Sequence, residues 1–184
     1  DPDSLSLLPG WTEECSDADY RRHRPMFDYK LLDENALRNV MAYYYGSISQ
    51  IDNEVGRIVS LLEEKGIYDD TMIIYTSDHG DYMGFHHMLL KLNYLYDPMT
   101  KVPLIIKFPE SLRRAERISG LVSTLDVAPT ILAQAGCESG RFMKGSDLST
   151  RTEGRTCVFT EHSRRDEYMV RTDSHKLLLC RDDK

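Results

Sequence analysis

The sequence predicts an α/β fold, a layered sheet followed by a short antiparallel meander, and three features predict it. A helical period runs from Asp33 to Lys65. Two apolar runs, at 71–77 and 102–107, have the texture of buried parallel strands. Three short alternating segments then follow residue 150.

Residues 1 to 32 show no sustained period and contain Pro2, Pro9 and Pro25. They read as a long irregular excursion, which is unusual unless it serves a site or joins another segment. From Asp33 onward Leu37, Val40, Met41, Tyr44, Ile48, Ile51, Val55, Ile58, Leu61 and Leu62 recur at three- and four-residue steps. That spacing predicts a long helix with one buried stripe, packed on a sheet face. Asp33 suits its N-cap, Gly66 its stop and Gly46 a kink.

Thr71 to Ser77, after a turn at 68–70, predicts a strand buried on both faces, and Val102 to Lys107 reads alike. Arg117 to Ser123 is a weaker strand candidate. Asp126 to Ala135 predicts a short helix with Pro129 in its first turn and Gly136 as its stop. Thr156 to Glu161, Tyr168 to Thr172 and Lys176 to Cys180 predict the meander, with a turn at 173–175. The expected division is a core over residues 1–150 and a small antiparallel subdomain opening at 151–184.

With 41% hydrophobic and 29% charged residues, the composition is ordinary for a globular chain. The net charge is −7 with both signs interleaved, so no basic stripe invites nucleic acid. The pairs Arg21-Arg22, Arg113-Arg114 and Arg164-Arg165 read as solvated surface. No apolar run is long enough to span a bilayer. Cys15, Cys137, Cys157 and Cys180 stand far apart without a C-x-x-C pair, which excludes a zinc knuckle and leaves free thiols as the expectation.

Chemistry concentrates in the stretch from Ser77 to Lys91. The predicted strand delivers Asp78 and His79 to its carboxyl end, where α/β sheets place their ligands. A carboxylate beside an imidazole suits calcium, magnesium, manganese or zinc, and Gly80 would permit the sharp turn that convergence needs. His86 or His87 could donate a hydrogen bond or a proton near neutral pH. Lys91 offers a point charge to an oxyanion. An Asp-His-Gly after a strand is, by itself, more often a turn with a hydrogen-bonded aspartate. Three histidines and a lysine within this short stretch favour a site instead.

Ser77-Asp-His-Gly-Asp81, Met83-Gly84, His86, Lys91 and Val102-Pro-Leu-Ile-Ile106 resemble, in order, a block of the sulfatase family, within the alkaline-phosphatase-like superfamily. Ala42 to Arg57 resembles the family's long helix, and Asp126 to Leu132 the helix after its core sheet. Tyr168-Met-Val-Arg-Thr-Asp173 with His175-Lys-Leu177 resembles the start of its C-terminal subdomain. The resemblance implies the C-terminal part of an alkaline-phosphatase-like layered sheet and a metal-dependent hydrolase of sulfate esters, small-molecule or carbohydrate. It implies one divalent ion, calcium foremost, with Asp78 and His79 among its ligands; many members carry asparagine at the second position. Lys91 would bind the sulfate oxyanion, and His86 would act beside it. Phe85 stands where the family has an acid, and Leu90 precedes Lys91 where glycine is commoner. His-His-Met-Leu-Leu-Lys91 is also similar to phosphonate monoester hydrolases, so phosphate or phosphonate esters are alternative substrates. The family's nucleophile is a formylglycine made in a C/S-x-P-x-R motif, and these residues contain no such motif. Its N-terminal aspartate pair is also missing. The expectation is therefore a fragment, inactive alone, whose partner is the N-terminal half of the same protein. A non-catalytic anion- or partner-binding module is the reading from another class.

Overall fold

A computed structural model describes residues 1–14, 28–91, 94–109, 117–150, 153–162 and 167–180. Cys15, Pro25 and the three arginine pairs lie outside the described residues. Two compact units divide the chain, residues 1–106 and 107–184.

In the first unit the predicted helix is α1, Glu34–Glu64. The Asp33 carboxylate accepts from the Ala36 amide at 2.7 Å, so one of the amides left unpaired at the helix start is satisfied. Lys65 closes the helix and Gly66, at φ +68°, turns the chain away. The helix runs unbroken through Gly46.

The buried stripe is shorter than its period predicts. Leu37 and Met41 are buried and join Trp11 and Leu89 in a core, with Leu5, Leu7, Tyr29 and Leu32 packed against it. Arg38 donates to the Leu5 carbonyl, which ties the opening segment to the helix. Farther along, Ile48, Ile51, Ile58 and Leu61 are exposed. Periodicity specifies which side of a helix is apolar; burial depends on what lies opposite. The partner over the first two turns is the N-terminal excursion rather than a sheet.

Strand β1, Ile73–Thr76, pairs with β2, Leu104–Lys107. The Thr76 hydroxyl donates to the Pro103 carbonyl at 2.8 Å, linking the polar end of β1 to the entry of β2. Both strands stand close to where their apolar runs put them. The expectation of burial on both faces fails, because Tyr75 and Ile105 are exposed and the remaining strand positions are at most half-buried. Two strands cover only part of each other's surface, and α1 does not lie over them along its length. A four-residue helix, α2, Asp97–Thr100, precedes β2. It sits beside a core of Tyr82, Met88, Tyr94 and Met99.

In the second unit α3, Val127–Gln134, follows a 3₁₀ turn at Thr124–Asp126, and Gly136 at φ +68° ends it. Asp126, read as the helix start, is the third residue of a capping box on Ser123. Its carboxylate is fully buried and accepts from the amides of Ser123 at 2.9 Å and Ser146 at 2.7 Å. The Arg155 guanidinium completes the shell, with Nε at 3.1 Å and a terminal nitrogen on the other oxygen. Burial pushes the Asp126 carboxyl up, but Arg155 and the two amides outweigh it, so the net effect holds it below the ordinary carboxylate value. The weaker strand candidate at 117–123 is only an isolated antiparallel bridge, Leu121 to Arg155. The meander forms as predicted: β3, Val158–His162, β4, Glu167–Arg171, and β5, Lys176–Cys180, pair antiparallel in that order. Cys137, Cys157 and Cys180 are free thiols. Among the described residues no helix is long and apolar enough to cross a membrane.

Candidate active site

Beyond β1 the chain enters a turn that Ser77 closes, its hydroxyl donating to the His79 carbonyl at 2.7 Å. One Asp78 oxygen accepts from the neighbouring His79 amide at 3.0 Å. The other oxygen lies 3.5 Å from His79 Nε2. Backbone and side chains thus bring the two adjacent residues together.

The orientation of the imidazole follows from its other nitrogen. His79 Nδ1 is 2.9 Å from the Gly80 carbonyl, and a carbonyl can only accept. Nδ1 therefore donates there, which leaves Nε2 as the ring atom facing Asp78. Metal-ligating histidines commonly donate their other ring nitrogen in this way. The Asp78 carboxyl is held below its ordinary value, first by the His79 amide, then by the charges of His79 and, more weakly, Lys91. Lys91 is exposed, yet near enough for its charge to act on Asp78.

Gly80 serves this turn through space. It is not among the positive-φ residues; instead a Cβ there would lie 1.9 Å from the Pro98 carbonyl oxygen, while its amide donates to Met99 at 3.0 Å. Helix α2 thereby abuts the turn. On the other side Asp81 forms a hydrogen bond with Tyr44 of α1, whose hydroxyl is pushed up first by burial and then by the Asp81 charge. Tyr44 was legible only as one more apolar position of the helix stripe.

The histidines after Gly84 divide. His86 is exposed, within 4.2 Å of the Phe85 ring and 5.7 Å of Tyr96, centroid to centroid. His87 is buried, its ring 4.3 Å from that of Tyr29 and 5.6 Å from that of Trp11. Burial lowers the His87 pKa against hydrogen bonds to the backbone of Trp11 and Glu13, which raise it. That environment suits an anchor, not a proton donor. The site loop is also strained: Met83, His86, His87 and Leu90 all adopt positive φ, between 46° and 62°. Side chains with a Cβ rarely enter that region, and strain of this kind clusters at functional sites.

Among the described residues no group of three or more histidine, cysteine or acidic side chains could hold a metal ion. Asp78 and His79, with a carboxylate oxygen and a ring nitrogen 3.5 Å apart, would supply two donors to such an ion.

Residues 9–137 match the Sulfatase family model. A multifunctional alkaline phosphatase superfamily protein of Trinickia caryophylli, PehA, is 42% identical over 118 residues, covering 64% of this chain and 23% of that protein. An N-acetylglucosamine-6-O-sulfatase of Bacteroides thetaiotaomicron is 31% identical over 153 residues, 75% of this chain and 27% of the relative. Among solved structures, BT4656 in complex with D-glucosamine-2-N,6-O-disulfate superposes with a TM-score of 0.69 at 27% identity, over 86% of this chain and 33% of that one. The phosphonate monoester hydrolase of Silicibacter pomeroyi shares the fold with a TM-score of 0.82 at 23% identity, over 100% and 43% of the two chains. The alkaline-phosphatase-like fold expected from the resemblance is thus shown, with the chain spanning about a quarter of the curated relatives it matches. On the match across residues 9–137, the chain belongs to the Sulfatase family.

Proposed function

We propose that this chain carries part of the active site of a metal-dependent sulfuric ester hydrolase. The observation that supports it best is the oriented imidazole: with Nδ1 bonded to the Gly80 carbonyl, His79 Nε2 faces an Asp78 oxygen at 3.5 Å while Lys91 adds its charge from the same loop. Asp78 and His79 would hold a divalent ion, calcium foremost, together with ligands from outside residues 1–184. Such an ion supplies Lewis-acid polarisation of the ester oxygens. The nucleophile, a formylglycine, also comes from outside these residues.

Within the chain, Lys91 binds an oxyanion oxygen and stabilises charge that grows on the transferred group. The exposed His86 donates a hydrogen bond or proton to the leaving oxygen. His79 Nδ1 is engaged by the Gly80 carbonyl, so that nitrogen is not available for the transfer. The substrates that suit this chemistry are sulfate esters, small-molecule or carbohydrate. The similarity to the phosphonate monoester hydrolase of Agrobacterium radiobacter, with a TM-score of 0.71 at 26% identity, favours phosphonate and phosphate esters as a second class beside sulfates.

Turnover tests this. The complete enzyme should hydrolyse p-nitrophenyl sulfate, or a phenylphosphonate monoester if the second class dominates. Residues 1–184 alone should hydrolyse neither, because a site without its nucleophile has no step to begin. Metal-dependent turnover by the purified 184-residue chain would overturn this assignment of the nucleophile.

A further inference from the structure

The N-terminal excursion contributes to the site. We propose that Pro9–Trp11 seats His86 for chemistry, with Gly10 and His87 as positioning residues; this rests on the role proposed for His86.

His86 lies exposed beside the Phe85 and Tyr96 rings, and its backbone sits at φ +49°. Something around it must impose that disfavoured geometry. Two contacts do so. The His86 amide donates to the Pro9 carbonyl at 3.3 Å. Gly10 then passes so close that a Cβ there would lie 2.8 Å from His86 Nδ1 and 2.9 Å from its amide nitrogen. Gly10 is at φ +87°, a conformation glycine adopts without penalty. Only a residue lacking a side chain satisfies both the backbone geometry and the approach.

The next residue locks the segment in place. The His87 ring lies against the rings of Trp11 and Tyr29 and bonds to the backbone of Trp11 and Glu13. Trp11 is buried in the same core as Leu37 of α1. A Cβ on Gly84 would meet Leu37 at 2.8 Å and Trp11 at 3.4 Å, so the start of the turn is as closely confined as its end. The chain from Pro9 to Glu13 is therefore clamped by His87, and through it Pro9 and Gly10 fix where His86 points. This gives the irregular first residues a task that their lack of period had left unassigned.

Three variants of the complete enzyme, assayed on p-nitrophenyl sulfate, test the proposal. Gly10→Ala places a methyl against His86 and should lower kcat by up to about a hundredfold, as a misplacement of about 1 Å can, with KM little changed. His87→Asn suits the φ of +60° better than most side chains but loses both ring contacts. It should lower kcat in the same direction if Gly10→Ala does not fold. Both should alter the limb of the kcat–pH profile that His86→Ala removes, which a loss of stability alone would not do. In the unsubstituted chain, nuclear Overhauser contacts should join the Gly10 Hα protons to the His86 ring. If His86→Ala lowers turnover while Gly10→Ala and His87→Asn keep the parent kcat and pH profile, the positioning role is overturned and the site stands. Missing Overhauser contacts overturn it too. If His86→Ala itself leaves turnover unchanged, the role of His86 and its positioning both fall.

Discussion

Lys91→Ala in the complete enzyme is expected to lower kcat by about 10²–10³-fold, the loss typical when one donor to a developing oxyanion is removed. The side chain is exposed, so its truncation leaves no cavity and no orphaned partner in the core. The thermal midpoint should stay where it is. Lys91→Arg should recover only part of the rate, because a planar fork presents its charge differently from an ammonium. Steady-state kinetics on p-nitrophenyl sulfate, with a melting curve of each variant, separates the two effects. Unchanged turnover in Lys91→Ala would remove the lysine from the mechanism.

The largest stability effect is expected at the other end of the chain. Asp126→Ala should cost about 3–5 kcal/mol, since Arg155 would then be left without its countercharge. Two amides, those of Ser123 and Ser146, also lose their acceptor, and with them goes the link between the cap of α3 and the bridge at Arg155. The effect carries a pH signature. The folded Asp126 carboxyl is held below its unfolded value, so its contribution is fully present above the unfolded value, near pH 4, and is lost as pH falls through the folded one. Urea unfolding of the parent and of Asp126→Asn should therefore differ most at neutral pH and converge in acid. A gap that widens in acid would contradict the assigned direction.

What the sequence revealed depended on the range of the interaction. Helix α1 was legible at both ends because Asp33 caps Ala36 within one turn and Gly66 stands next to Lys65. The meander was legible for the same reason, from alternation and one tight turn. Burial was not. Ile51 and Ile58 have the spacing of core residues but stand in solvent, since period says nothing of what lies opposite. Arg155 could not be matched to Asp126 across 29 residues, nor Trp11 to His87, because nothing local distinguishes such partners from other polar or aromatic residues. In the site, Asp78, His79, His86 and Lys91 stood out through residue type and proximity. Gly80 stood out too, although for a turn conformation rather than the carbonyl that crowds it. The division between an exposed His86 and a buried His87 depends on tertiary packing and had no signal in the sequence.

The central claim is that Asp78 and His79 are ligands of a catalytic metal, and metal analysis of the complete enzyme tests it most directly. The parent protein, purified without chelators, is expected to retain a stoichiometric divalent ion by mass spectrometry. The Asp78→Asn, His79→Ala double variant, folded by circular dichroism, is expected to lose it. His79→Asn alone should keep much of it, because an amide oxygen can replace the imidazole towards a hard cation. A folded double variant that binds the same ion as tightly as the parent would contradict the assignment of the site.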